Sequence, residues 1–478
     1  MDKKILLNYI YNIAYQLVKI ALPLVTVPYL YAHIGAETLG ISDFASNIAG
    51  WFILFGTLGV NTYGNRAIAK VRDDKDRMSK TFWQIFSMQC MNMLIATIFY
   101  GVYVALTVTK NLEIYALTGC ILLASLFDIT WFFYGVEDFK KASIRNILVK
   151  LIGVGLLLIF VKKPSDLYLY VLINSVSELI GQSIMFFQLK KYIHFEKVSL
   201  KQAYQNHFKP TIALFIPTIA ISVYTLLDQT MLGYLHSELH LNYYKTSMAF
   251  VKMFLYFVTS IGAVMLPRVT NVFHNQKDGK QQAQTLVKTT MKIAMLMAIP
   301  MCFGMLAVAP FFIPWYLPSA PEIAKLIMLG CPIVLFISMS NVTGIQYMVP
   351  TGMDKQYSSS VIAGACINFV CNLFLIPKMG AFGAIVASCI AEASVTGIQL
   401  FYIKKELGTR FFDLSYFKLV LSALFMYVVV VLIGSALQAS LLCNLIQAIT
   451  GVCIYFGLLL LLKEQLLLNI VRKVLNRG

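Results

Sequence analysis

Fourteen apolar stretches of about 20 residues, separated by short polar connections, dominate this 478-residue chain. About 20 helical residues cross the roughly 30 Å of bilayer hydrocarbon, and a lone apolar segment must satisfy its own backbone there, which a helix does. The stretches run over 8–33, 39–64, 81–108, 113–136, 144–161, 167–189, 211–235, 246–267, 289–317, 322–349, 357–376, 381–403, 417–437 and 441–462. With 59% hydrophobic against 13% charged residues, the chain lies outside the range of soluble domains. The fold class expected is an all-α polytopic membrane protein of about 14 transmembrane helices. Met1 to Lys4 leads directly into a full-length apolar span, without the short apolar region and cleavage site of a signal peptide. The first helix is therefore expected to act as its own insertion signal.

Charge orients these spans. With the N-terminus inside, 31 of the 39 Lys and Arg residues fall in the arm before span one and in 65–80, 139–150, 190–209, 268–292, 355, 404–418 and the tail. Only Lys110, Lys162, Lys163, Lys245, Lys325 and Lys378 fall outside. The asymmetry predicts an even number of spans with both termini cytoplasmic. The net charge of +17 is thus topological, and no nucleic-acid role is read from it. The nine cysteines lie inside apolar spans without a CxxC spacing, as small hydrophobic residues do. His236 and His240 have a spacing that can bind a metal on a helix, but in an outer loop they read as solvated residues.

A weak internal repeat sets the expected domains. Aligning Gly59 with Gly262 brings Arg66 near Arg268, span one near span seven, and, after insertions, Glu178 onto Glu392. Each copy has six spans, so both share one orientation, and a pseudo-twofold axis along the membrane normal is expected. The expected division is a lobe over 1–189, an interfacial cytoplasmic linker over 190–209, a second lobe over 210–405, two added spans over 406–462 and a tail over 463–478. The tail, like the linker, reads as a surface helix. Pro23 and Pro28 in span one, and Pro210 and Pro217 in span seven, remove backbone hydrogen bonds and mark candidate hinges.

Ionisable residues inside apolar spans are the functional signal. A charge at the bilayer centre costs roughly 2.5–3.5 kcal/mol on insertion scales, and such residues commonly face a polar interior. Lys19 and Lys252 are candidate partners for an anionic ligand, with Arg66 and Arg268 at inner helix ends as further candidates. Asp228 stands mid-span in SVYTLLDQTMLG, where an unpaired carboxylate would be protonated or ion-bound, and is the first candidate for gating or ion coupling. Asp43, Asp128, Glu178 and Glu392 are secondary candidates, each also readable as helix-contact glue. The run GVNTYGNR at 59–66 lacks the Lys and Ser or Thr of a nucleotide-phosphate loop, and HExxH and GxSxG motifs are absent. No enzymatic activity, metal or cofactor is expected. A secondary transport mechanism is, with H⁺ or Na⁺ as the possible coupling ion.

The runs FDITWFFYGVEDFKKASIRNILVKL (127–151), IPTIAISVYTLLDQTMLG (216–233), AVMLPR (263–268) and NFVCNLFLIPKMGAFGAIVASCIAE (368–392) resemble polysaccharide repeat-unit flippases of the Wzx type. These belong to the multidrug/oligosaccharidyl-lipid/polysaccharide (MOP) exporter superfamily, and teichoic-acid-precursor flippases look similar. The resemblance covers nearly the whole chain. It implies a V-shaped, two-lobed, MATE-like fold that moves undecaprenyl-diphosphate-linked oligosaccharides from the inner to the outer leaflet of a bacterial cytoplasmic membrane. It also places Asp228 in the span-seven motif and Lys252 on the cavity face of span eight. Partners implied are the lipid-linked oligosaccharide, membrane lipids, and a polymerase or ligase of the same surface-polymer pathway. A cation-coupled multidrug exporter, a lipid II flippase and a non-transporting envelope scaffold are the alternatives.

Overall fold

The computed structural model describes residues 18, 21–275, 278–407 and 413–475. All of the secondary structure among them is helical. The fourteen apolar stretches each overlap a helix, and eleven helical segments are long and apolar enough to cross a membrane. By contacts the chain divides into two compact units, Met1–Gly233 and Tyr234–Gly478. The division falls at the end of span seven.

The first unit contains α1 (21–33), α2 (Ala36–Thr57), α3 (Val60–Val71), α4 (Lys75–Thr107), α5 (Leu112–Leu126), α6 (Thr130–Gly135), α7 (Phe139–Phe160), α8 (Leu167–Leu189) and nearly all of α9 (Leu200–Leu235). Two apolar stretches expected as single helices are each broken. Span two stops at Leu58 and Gly59, both left-handed at φ 47° and 78°. A side chain at Gly59 would also stand 3.2 Å from the Phe215 Cα of α9, so glycine is required twice over. Span four breaks between α5 and α6, where the Asp128 carboxylate accepts from the Thr130 N–H (2.9 Å) and from its hydroxyl. Gln89 of α4 closes this break: its amide donates to the carbonyls of Ser125, Leu126 and Asp128, and its own carbonyl accepts from the Trp131 indole at 3.0 Å. The FDITWFFYG motif is therefore a capped helix break, with Trp131, Phe132 and Phe133 fully buried beside Phe82 and Ile85.

Residues of the 190–209 segment pack on the first unit. Residues 200–209 are helical and continuous with span seven in α9. Ala203 is fully buried in the first unit's core, with Ile193 beside it in the same cluster. His207 bonds Tyr63 through Nδ1 (2.7 Å) and Gln84 through Nε2 (2.9 Å), and the Trp83 indole donates to the His194 carbonyl at 2.9 Å. Farther along, α9 runs antiparallel to α2: Phe44 lies against Gly233, Gly50 against Leu226 and Gly59 against Phe215.

The second unit contains α10 (Glu238–Asn275), α11 (Gly279–Tyr316), α12 (Glu322–Gly330), α13 (Pro332–Ser340), a π-helix (Asn341–Met348), α14 (Asp354–Met379), α15 (Ala381–Leu407), α16 (Leu414–Ala436), α17 (Leu441–Leu461) and α18 (Gln465–Leu475). The α14–α15 hairpin carries the NFVCN…GAFGA run. Gly380 (φ 54°) makes the turn, and Gly383 lets the helices meet, since a side chain there would strike the Leu375 carbonyl at 2.4 Å. The two C-terminal spans, added to the repeat in the sequence reading, are stitched to α11. The Tyr455 hydroxyl donates to the Leu296 carbonyl (3.1 Å), the Trp315 indole donates to Asn444 (2.6 Å), and Lys292 pairs with Asp413.

Candidate functional site

The ionisable residues singled out by sequence separate into different environments. Asp228 is fully buried in α9. Two residues on, Thr230 lies 2.7 Å from the Asn47 amide and accepts from the Trp51 indole at 2.8 Å, so a polar seam joins α2 and α9 inside the apolar zone. Asp43, half-buried, stands one turn before Asn47 on α2. Asp128 is committed to the turn between α5 and α6. Glu178 accepts from Gln182 one turn along α8 (3.0 Å) and lies 3.9 Å from Arg145 of α7.

Arg145 is the residue that sequence reasoning missed. Its position among the basic residues of 139–150 made it look like an inner-loop anchor, yet it is only 6% exposed and donates to Gln182 at 3.2 Å. Burial comes from α8, whose Gln182 and Glu178 supply its partners, and no local signal in α7 announces them. Burying a guanidinium is costly unless it is paired, so this cluster holds α7 against α8.

Lys252 behaves differently. It is half-buried in the apolar part of α10, beside Val251, which is packed against Gly330 of α12, and it makes no hydrogen bond or ion pair among the described residues. Arg268, on the same helix, is exposed and lines a polar groove of about 750 Å³ with Asn271, Asp278, Gln281, Gln282 and Thr285. Sixteen helical residues separate the two cations, or about 24 Å along the axis. They cannot grip one diphosphate together. Arg66 is exposed on α3, and Glu392 is half-buried on α15. Lys19 lies outside the described residues. Of the candidate hinges, Pro23 and Pro28 sit in α1 and Pro210 is exposed in α9, which remains helical past 217; the Pro217 side chain lies outside what is described.

One further polar cluster had no sequence signal. Around the π-helix, the buried Thr343 hydroxyl donates to Gln399 of α15 (2.6 Å), Gln399 donates to Ser360 of α14 (3.1 Å), and Gln346 donates to Asn341 (2.9 Å). Short π segments inside helices recur at functional sites. Asn368 and Asn372, both fully buried, form another amide pair at 2.9 Å on α14. The His236–His240 pair is structural: His240 Nδ1 accepts from the Ala381 N–H (3.1 Å), capping α15. Burial first, then the adjacent His236, holds the His240 imidazole below its ordinary range. No group of three or more metal-ligating side chains occurs among the described residues.

Comparison with known proteins follows this architecture. A protein of Escherichia coli (strain K12) named for O-antigen transport is 24% identical over 406 residues, covering 84% of this chain and 96% of its own length. One of the same name from Shigella dysenteriae is 22% identical over 428 residues, covering 84% and 100%. Among solved structures, the lipid II flippase MurJ in an inward closed conformation superposes with a TM-score of 0.71 at 16% identity, covering 95% of this chain and 98% of MurJ. An inward-facing multidrug resistance MATE transporter of the MOP superfamily gives 0.58 at 11% identity, covering 82% and 94%. At these identities the structures establish the fold alone. The polysaccharide biosynthesis protein family matches residues 5–273, more than half of the sequence, and the chain belongs to that family.

Proposed function

We propose that this multi-pass membrane protein is a flippase for undecaprenyl-diphosphate-linked oligosaccharide. Its cargo is a capsular or other cell-surface repeat unit, or a teichoic acid precursor, carried from the inner to the outer leaflet of a bacterial cytoplasmic membrane by alternating access. Both termini are cytoplasmic in this reading, and a polymerase or ligase of the same pathway takes over the product. The observation that carries the proposal is Lys252, a half-buried cation in an apolar span without a protein counter-ion among the described residues. Such a group costs free energy unless a mobile anion completes it. The family and the relatives named for O-antigen transport support the glycan cargo. The physical task fits as well, because a sugar head group cannot shed its hydration into hydrocarbon, whereas the lipid tail can stay in the bilayer while the head crosses a polar path.

The test is deletion of the gene, followed by mass spectrometry of lipid-linked oligosaccharides and of their leaflet accessibility. Accumulation of a complete, inward-facing repeat unit is expected and would name the cargo. Unchanged lipid-linked sugars together with new sensitivity to cationic dyes would replace this reading with drug export.

A further inference from the structure

The last helix has a polar face that neither transport nor packing uses. A left-handed turn at Lys463 (φ 50°) ends the α17 span, and α18 starts two residues later. Glu464, only 4% exposed, pins the junction: it accepts from the Ser415 hydroxyl at the start of α16 and from the Leu467 N–H (2.8 Å). The Lys418 ammonium donates to the Leu462 carbonyl at 2.7 Å. The base of α18 is thereby fixed level with the ends of two membrane spans. Apolar side chains at this level point outward, with Leu414, Phe417 and Leu461 exposed by 71%, 63% and 77%, as expected for a lipid-facing surface.

By helical register, positions 467, 471 and 474 of α18 are apolar and share one face, while Gln465, Asn469, Arg472 and Lys473 share the other. Leu467 is buried against the body of the unit, and Asn469, Arg472 and Lys463 are exposed. An amphipathic helix that starts at the end of a span, continues a lipid-facing surface and carries basic residues on its polar side matches a bilayer interface containing anionic head groups. We infer that α18 is an in-plane docking helix for anionic phospholipid, with the exposed Arg472, and Lys473 next to it in sequence, as its basic residues. This does not depend on the transported cargo, and it would survive failure of the flippase reading.

The test uses the full-length purified chain in vesicles of phosphatidylcholine alone, or with phosphatidylglycerol added, and reads amide hydrogen exchange over 465–475. Each Lys or Arg beside an anionic surface is worth roughly fivefold in affinity, so the pair predicts exchange slower by about 25-fold in the anionic vesicles. Most of that difference should vanish at high salt, where the screening length drops to about 3 Å at 1 M. The Arg472→Gln/Lys473→Gln variant should exchange alike in both vesicles, and Arg472→Lys/Lys473→Arg should restore the difference. Equal protection of the unmodified chain in both vesicles overturns the inference. So does protection that rises with protein concentration at fixed lipid, which would assign the face to a second copy.

Discussion

At the scale of single residues, position within a span separates charges that pair inside the protein from a half-buried lysine that, among the described residues, does not. Asp128 has its turn and Arg145 has Gln182 and Glu178, whereas Lys252 has no partner among the described residues. Lys252→Ala should therefore fold normally and lose at least tenfold in flipping rate, a loss of about 1.4 kcal/mol in transition-state stabilisation. Lys252→Arg should keep part of the rate by preserving the charge. Flux measured at matched protein levels decides, and an unchanged rate in the alanine variant would remove the cationic role. His207 offers a pH prediction outside the apolar stretch. Burial lowers its pKa, so the folded state prefers the neutral ring that bonds Tyr63 and Gln84. Because an unfolded histidine titrates near 6.5, the contribution is full above about pH 6.5 and is lost as pH falls below it. Protection factors over 200–207, taken relative to the intrinsic exchange rate at each pH, should fall between about pH 7.5 and pH 5.5, and His207→Gln should flatten that dependence. Lys252 was legible because a lysine is conspicuous in an apolar run. Arg145 was not, because its burial is decided by α8, some 35 residues away.

At the scale of helices, the apolar runs reveal where spans lie but not where they break. Both breaks in the first unit sit inside runs that hydropathy reads as continuous, since Leu58–Gly59 is about as apolar as its surroundings and Asp128 is a single charge within an apolar run. Tertiary partners make the breaks possible: Phe215 crowds Gly59, and Gln89 of α4 supplies donors for the stranded end of α5. The π-helix is equally silent in sequence, because its polar partners come from α14 and α15. A glutamine in the middle of an apolar helix reads as incidental until the carbonyls it caps are known. Gln89→Leu should thus cost about 2–6 kcal/mol, since each buried group left without a partner costs about 1–3 kcal/mol and both the Trp131 indole and the Asp128 carbonyl are stranded. Unfolding of the purified protein in detergent measures it. A change below about 0.5 kcal/mol would mean that water reaches the break and replaces the glutamine.

For the whole molecule, the question is what drives transport. The sequence offers no nucleotide-phosphate loop, and we propose that directional movement of cargo is drawn from a gradient. A coupling ion needs a site whose occupancy differs between conformations, because a ligand shifts an equilibrium only by its differential affinity for the two states. We propose Asp228 as the candidate for such a site: it is a fully buried carboxylate in an apolar span, adjacent in α9 to the polar seam that Thr230 forms with Asn47 and Trp51. In proteoliposomes carrying a fluorescent lipid-linked sugar, an imposed H⁺ or Na⁺ gradient should accelerate net flipping by the unmodified chain. Asp228→Asn removes the titratable charge at nearly constant volume, so it should abolish that acceleration while leaving exchange down the cargo's own gradient. The two halves of the outcome separate coupling from folding, since a misfolded variant would lose both. If the variant answers the ion gradient as the unmodified chain does, the coupling site lies elsewhere. If neither answers any ion gradient, transport is driven by the cargo alone, and Asp228 serves the packing of α9.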